Sequence, residues 1–362
     1  DISSSTLISN YEIQPSAVIN LAALDLANSA LVHLTLASPL QNGNSYTLFS
    51  TDISDVSGNF SGSQSVGFDY LVGENAVEGD LIITEVFADP TPVIGLPEAE
   101  YIEIYNTSNK IFNLTDWKIG DASSEGTILN GWLVPDSYLI LTSTSNIDSF
   151  SISNIVPVSS FPSLNNSGDD VKLINMEGVE IDHISYTDEW YMDEIKKSGG
   201  YSLERINPND PCSDMFNWGA SSSSTGGTPG IENSIYDNTP DGTAPILVKA
   251  ITLPPNYLEL SFNEGMDSSS LINASIYTNP ALTIQNIFVA NGYSNTMIIE
   301  FNETIETGIL YLLEIENAQD CWLNSETITS SFAMTETGEM GDIVINEFVS
   351  NPYNDGKDWV EL

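Results

Sequence analysis

Two stretches of this chain occur twice, at nearly the same spacing. GDLIITEVFADP (79–90) returns as GDIVINEFVSNP (341–352), an offset of 262 that pairs Glu85 with Glu347 and Pro90 with Pro352. EYIEI (100–104) then returns as DWVEL (358–362), with an intervening loop four residues shorter. A second match aligns LTLASPLQNGNSYTL (34–48) with IEFNETIETGILYLL (299–313) without gaps, at an offset of 265, and holds through Asp55/Asp320 and Asn59/Asn324. A repeating unit this long is larger than a single small domain, so its modules can each bury a core of their own. Two kinds of module therefore alternate. The expected division is 1–77, the later part of one kind; 78–234, the other kind complete; 235–337, the first kind again; and 338–362, the opening strands of a second copy of the other. Asp1 is not a Met and Leu362 falls within a strand-like run, so both ends read as cut from a longer chain.

Within the modules the pattern is that of strands: short β-branched and aromatic runs punctuated by Asn, Gly, Ser, Asp and Pro. In YIEIYN (101–106), Ile102 and Ile104 point one way and Glu103 the other. Leu258, Leu260 and Phe262 are expected to face a core, as are Met297, Ile299 and Phe301. DVKLINMEGVEI (170–181) predicts a hairpin turning near Glu177-Gly178. Only EGMDSSSLINASIY (264–277) has room for a short helix, and EWYMDEIKK (189–197) for a helical turn. The fold class is all-β, tandem Ig-like antiparallel β-sandwiches in a beads-on-a-string array.

Charge narrows the partners. Asp and Glu number 51 against 8 Lys and Arg, a net charge of −43. Phosphate backbones are read by Lys and Arg, so no nucleic acid is expected, and an anionic membrane surface would repel such a chain. No run approaches the ~20 apolar residues that span a bilayer, so no membrane insertion is expected either. Divalent cations are the small partners such a surface attracts, although excess carboxylates chiefly keep a chain soluble.

The stretch 79–234 resembles the lamin tail domain, an Ig-like β-sandwich of nuclear lamins and of many bacterial secreted proteins. The residues that carry the likeness are IITEVFADP (82–90), EYIEIYNTSNKIFNLTDWKIGD (100–121), GWLVPDSYLIL (131–141), NSGDDVKLIN (166–175) and YSLERINPNDP…NW…GGTPGIENS (201–234). Leu114 and Trp117 are expected to drop from a turn into the core, with Pro135-Asp136 starting the next turn. The other module resembles bacterial Ig-like domains of surface-layer and adhesive proteins, on TAPILVKA (243–250), LELSFNEGMDSSSL (258–271) and the Asp320…Asn324 turn. Its first copy has Asp55-Val56-Ser57-Gly58-Asn59, with the family's Gly-Asn ending, where the second has Leu323 in place of that Gly. The resemblance implies an extracellular or bacterial cell-surface protein. Its partners would be neighbouring domains of the same chain, surface glycans or an outer-membrane secretion apparatus. The expected role is a non-catalytic stalk and surface-binding segment. The rivals are accessory modules of a large secreted hydrolase (nuclease or phosphatase) catalytic elsewhere, and a carbohydrate-binding module.

Candidate sites are few. Cys212, at the end of the lamin-tail-like stretch, and Cys321, in the Asp320 turn, are an even pair in adjacent modules. In a secreted chain that suggests a disulfide, the alternative being two buried free thiols. No cofactor is expected beyond structural Ca2+, which needs 6–8 converging oxygens. The carboxylates grouped for it are Asp89 with Glu98 and Glu100, Asp116 with Asp121, and Asp169 with Asp170. Trp117, Trp218 and Trp359 are expected in cores. Trp190 and Tyr191, in the loop-like DEWYMDE, are expected to be exposed and to face any ligand. His33 and His183 are isolated and make no zinc site. There is no G-x-S-x-G elbow, P-loop, G-x-G-x-x-G or H-E-x-x-H, so no enzyme is read here.

Overall fold

The computed structural model describes residues 1–212, 215–289, 293–336, 338, 340–350 and 356–361; Pro352 and Leu362 of the expected second copy lie outside the described residues. The chain is nearly all-β with several sheets and two short α-helices. It divides into two compact units, 1–209 with 218–238, and 210–217 with 239–362. Among the described residues no helix is long and apolar enough to cross a membrane.

The first unit opens with α1 (Ile2–Ser5), β1 (Tyr11–Gln14), β2 (Ile19–Leu24), β3 (Val32–Leu36), β4 (Asn44–Ser50) and β5 (Gln64–Tyr70). They form the sheets β1-β4-β5 and β2-β3 around Ile13, Ile19 and Tyr46. There follow β6 (Leu81–Phe87), β7 (Tyr101–Asn106), β8 (Phe112–Asn113), β9 (Lys118–Gly120), β10 (Glu125–Ile128), β11 (Trp132–Leu133), β12 (Tyr138–Ser143), β13 (Ile155–Ser159), β14 (Gly168–Ile174), β15 (Glu180–Thr187), β16 (Leu203–Arg205) and β17 (Trp218–Ala220). Ten of these strands make one sheet, in the order β15-β14-β9-β10-β13-β12-β7-β6-β16-β17, in which β12 and β13 run parallel. A sheet this wide buries its apolar side by curling onto itself. Asp182 of β15 accepts the amide of Ile83 in β6 at 2.6 Å and lies 3.6 Å from Arg205 of β16, strands far away in the order. Leu114 and Trp117 are buried in this layer, as is Trp218. The β14–β15 hairpin turns at Gly178 (φ +79°), where the Asn175 side chain accepts the amides of Glu177 and Val179.

Glu103 points away from Ile102 and Ile104, as expected, and its side of the sheet is covered too: all three are fully buried. The outer side of β6 and β7 is covered by a second small core of Phe87, Ala99, Tyr101, Ile140 and Phe150. Strands buried on both faces lose the polar alternation by which an outward face is recognised.

The second unit holds β18 (Leu247–Leu253), β19 (Tyr257–Asp267), α2 (Ser268–Asn273), β20 (Ser275–Asn279), β21 (Ile284–Val289), β22 (Tyr293–Phe301), β23 (Leu310–Glu316) and β24 (Ile328–Ala333). The sheets β18-β19-β22-β21 and β20-β23-β24 close over Leu258, Leu260, Phe262, Met297, Ile299, Phe301 and their neighbours. Asp267 caps α2 by accepting the amides of Ser269 and Ser270. Last come β25 (Glu347–Val349) and β26 (Trp359–Glu361), a two-stranded pair. Trp359 is 43% exposed there, not in a core, because no second layer among the described residues covers that pair.

The 265-residue repeat is visible in the pairing itself. Tyr11 faces Ser50 across β1–β4, and Ile276 faces Ile315 across β20–β23. Ile19 faces Leu36 and Ile284 faces Phe301, each pair followed by a one-residue slip, before Leu21 and before Asn286. The turns match atom for atom. Asp55 Oδ1 accepts the amides of Ser57 and Asn59, and Asp320 Oδ1 those of Trp322 and Asn324; each Asn side chain returns a bond to the Asp. Gly58 sits at φ +83° and Leu323 at φ +67°, so the second copy keeps the left-handed turn despite its side chain.

Candidate functional site

The most unusual chemistry lies in the middle of the ten-stranded sheet. Glu85 faces Glu103 across β6–β7 and Glu204 across β6–β16, a row of three carboxylates on adjacent strands. Directly opposed side chains in a sheet stand within about 4.5–5.5 Å at Cβ, and like charges there repel. All three are fully buried. Arg205, the next residue after Glu204, is directed by strand alternation to the other face, toward Asp182 and the Trp218 ring.

What satisfies the row is hydroxyls and amides, mostly from one loop, residues 225–236, which crosses it as a strap. Thr228 N donates to Glu85 Oε1 at 2.8 Å and Gly230 N to Glu103 Oε2 at 2.7 Å. The Thr228 and Ser234 hydroxyls hold the two oxygens of Glu204 at 3.0 and 2.7 Å. From the sheet, Ser202 donates to Glu85 at 2.5 Å and Thr84 to Glu103 at 2.7 Å. Asn233 ties the strap to the backbone, donating to Thr84 O and Arg205 O. Gly227 passes so close that a Cβ there would stand 2.6 Å from the Tyr101 hydroxyl and 2.7 Å from Glu85 Oε1. Glu85 Oε2 and the Tyr101 hydroxyl are buried with no hydrogen-bond partner among the described residues.

The electrostatics follow from this packing. Burial, reinforced by the charge of Glu204, pushes Glu85 up to about 7, against the opposing pull of Ser202 and Thr228. Burial and the charge of Glu85 hold Glu103 well above the ordinary carboxyl range. Through these hydrogen bonds the row staples the strap to the sheet.

A second acidic group lies in the other unit. Asp241, Glu264 and Asp320 each bring one oxygen within 4.8 Å of the others. Burial first, then the hydrogen bond and charge of Asp241, push Glu264 up to about 7. Against its burial, backbone and side-chain hydrogen bonds from Thr243 meanwhile hold Asp241 below the ordinary carboxyl range. Asp320 is fully buried and holds the Asn324 turn, whereas Asp55 holds the equivalent turn while exposed.

Most of the carboxylates grouped for calcium hold local contacts. Asp169 and Asp170 are neighbours on β14 and so point to opposite faces. Asp169 accepts the Asn165 amide and side chain at 3.0 and 2.8 Å, while Asp170 is bonded to Ser185 and lies 3.5 Å from His183. Asp121 accepts the amides of Ser123 and Ser124, and Asp116 occupies a left-handed turn position at φ +66°. Asp89 accepts the amide and hydroxyl of Thr91; Glu100 accepts the Leu164 amide at 3.3 Å, and Glu98 is exposed. Burial, then the charges of Asp169 and Asp89, raise Glu100. Among the described residues, the group of three acids close enough to share one ion is Asp241, Glu264 and Asp320, not any of these.

Trp190 and Tyr191 are also a correction: both are buried, not presented to ligand. The short 3-10 turn Asp188–Tyr191 folds inward, laying Trp190 on Trp218 with ring centroids 6.1 Å apart, and the Tyr191 hydroxyl donates to Tyr201 O at 3.1 Å. A loop of acidic residues can still spend its aromatics on the core, since they carry most of its apolar area. Cys212 and Cys321 are joined in a disulfide with Cα atoms 5.7 Å apart, and both belong to the second unit. His33 pairs with Asp25 at 2.8 Å, and His183 lies between Asp170 and Glu180.

Sequence reasoning missed the glutamate row and the Asp241 group. The row did leave a signal: Glu85 is the one acid in an otherwise apolar LIITEVF, and it recurs as Glu347.

Among known families, the model of the Lamin Tail Domain matches residues 74–188. No curated protein matches the chain. Among solved structures, the N-terminal part of the bacterial S-layer protein SbsC aligns at 16% identity and a TM-score of 0.22, over 25% of this chain and 24% of that one. The S-layer protein rSbsC(31-844) aligns at 9% identity and a TM-score of 0.18, and domains 1-6 of surface layer protein SbsC at 10% and 0.19. In both, 96% of this chain is covered but only 52% of the other, so the chain spans about half their length. Scores this low carry no argument.

Proposed function

We propose that this chain is a non-catalytic structural and adhesive segment of a large secreted or cell-surface bacterial protein. In it, Ig-like modules (1–77 and 235–337) alternate with lamin-tail-like sandwiches (78–234, and a second copy from 338). The observation that carries the reading is the duplicated Ig-like pairing, with the same register, slip and Asp-Asn turn 265 residues apart. Recurrence of a whole module with its geometry intact is what selection for length and spacing produces. The second sandwich is supported by the Glu347–Glu361 pair of β25–β26, which occupies the same repeat positions as Glu85–Glu103. The most perturbed carboxyls, Glu85 and Glu103, are sealed under the strap, which favours a structural use for them. Immunogold labelling of the source cells with antibodies to this chain tests the proposal. Label at the outer surface is the expected result, and cytoplasmic label would overturn it. Sequencing the gene beyond both ends separates a stalk from accessory modules of a hydrolase, which would reveal a catalytic domain.

A further inference from the structure

Next to the glutamate row, on the same side of the sheet, the first unit has a cavity of about 210 Å³ that no function discussed so far uses. Tyr105 at the end of β7 and Tyr138 at the start of β12 are direct cross-strand partners, with ring centroids 4.5 Å apart, and form one wall. The strap supplies Tyr236 and Glu232, and the turn between β11 and β12 supplies Asp136, held at φ +54° with its amide on Asn106 O. Three phenol rings and two carboxylates thus surround one small space, and no Lys or Arg lines it.

We infer that this cavity binds an organic cation: a primary ammonium or guanidinium head on an alkyl stem, such as a lysine or arginine side chain carries. Aromatic faces attract such heads within about 6 Å of the ring, and carboxylates at the rim supply the counter-charge. Anions are excluded by Asp136 and Glu232. Burial and the neighbouring acids raise Tyr105 and Tyr138, which keeps these two phenols neutral. The space is below the ~300–1,000 Å³ of drug-sized pockets, which suits a side-chain head and not a ring system. The chain's own cations are committed elsewhere in this unit: Lys110 to Asp80, Lys118 to Glu125, Lys172 to Glu180, Lys197 to Glu194 and Lys196 to Ser221 O. The inference stands on the cavity and is independent of the cell-surface reading.

The test is a titration of the whole chain, with labelled tyrosine rings followed by NMR, using Nα-acetyl-lysine methylamide, its arginine counterpart and the Nε-acetylated lysine compound. Saturable shifts confined to Tyr105, Tyr138 and Tyr236 are expected with the first two ligands and none with the acetylated one. The double variant Asp136→Asn/Glu232→Gln, at two exposed positions, should weaken binding at least ~10-fold while leaving the backbone amide spectrum of the free protein in place away from the cavity. Shifts that never saturate, that spread over the acidic surface, that persist with the acetylated ligand or that survive the double variant would overturn the site. A parallel titration with cadaverine identifies the source: tighter binding of the lysine compound assigns a protein partner, and tighter binding of the diamine a free polyamine.

Discussion

Leu323 is a turn position at which the two Ig-like copies differ, and its backbone is bent into a conformation that suits the Gly58 of the first copy. A side chain in the left-handed region costs roughly 1–2 kcal/mol, part of which glycine returns as unfolded-state freedom. Leu323→Gly should therefore stabilise the second unit by about 0.5–1 kcal/mol, read as a higher urea midpoint at unchanged slope; a lower midpoint would contradict this. Glu85 gives a pH prediction. Its folded pKa of about 7 lies above the ordinary 4.5. Its contribution to stability is therefore complete below about 4.5 and is lost as pH rises through about 7. On the order of 3 kcal/mol should be lost between pH 5 and pH 8, and Glu85→Gln should flatten that slope. Equal slopes in denaturant titrations of the two proteins would refute the assignment. Comparing the repeats brought out Leu323 directly. Alternation placed Glu103 on the face opposite Ile102 and Ile104, but it does not report whether that face meets water, and here it does not.

At the scale of elements, the 225–236 strap and the disulfide do different work. The strap carries few large apolar side chains and is held by the carboxyls it covers, so its attachment is polar and sensitive to protonation. The disulfide joins residues 109 apart in sequence. A closed loop of that length restricts the unfolded chain enough that its loss typically costs about 2–4 kcal/mol. Cys212→Ser with Cys321→Ser should lower the unfolding temperature of the second unit and leave that of the first unchanged, as calorimetry of the oxidised and variant proteins would show. Most strands were legible, because runs such as Leu258-Glu259-Leu260 and Met297-Ile298-Ile299 alternate under one covered face. The strap was not. GGTPGIENS carries turn residues that specify a loop, but nothing local says that Thr228, Gly230 and Ser234 will meet three glutamates from strands scattered between 85 and 204.

For the whole molecule, a net charge of −43 means that self-repulsion opposes every compact state. Screening contracts from about 30 Å at 0.01 M salt to about 8 Å at 0.15 M. Melting temperature should rise over that range, by about 2–4 °C for each kcal/mol of repulsion relieved; a fall would mean that the few ion pairs matter more than the excess charge. The duplicated strand pairing was readable from the 265-residue repeat, whereas the grouping of residues 210–217 with the second unit depends on contacts that no local pattern encodes. The shared register of the Ig-like copies bears on how the chain is made. Strands that match in register and slip are interchangeable partners, so two such copies side by side invite exchange of strands during synthesis. Here their matching strands stand 265 residues apart, measured from Tyr11 to Ile276. At about 5–20 residues per second the ribosome takes roughly 13–50 s to cross that distance, time for the earlier copy to close before its double emerges.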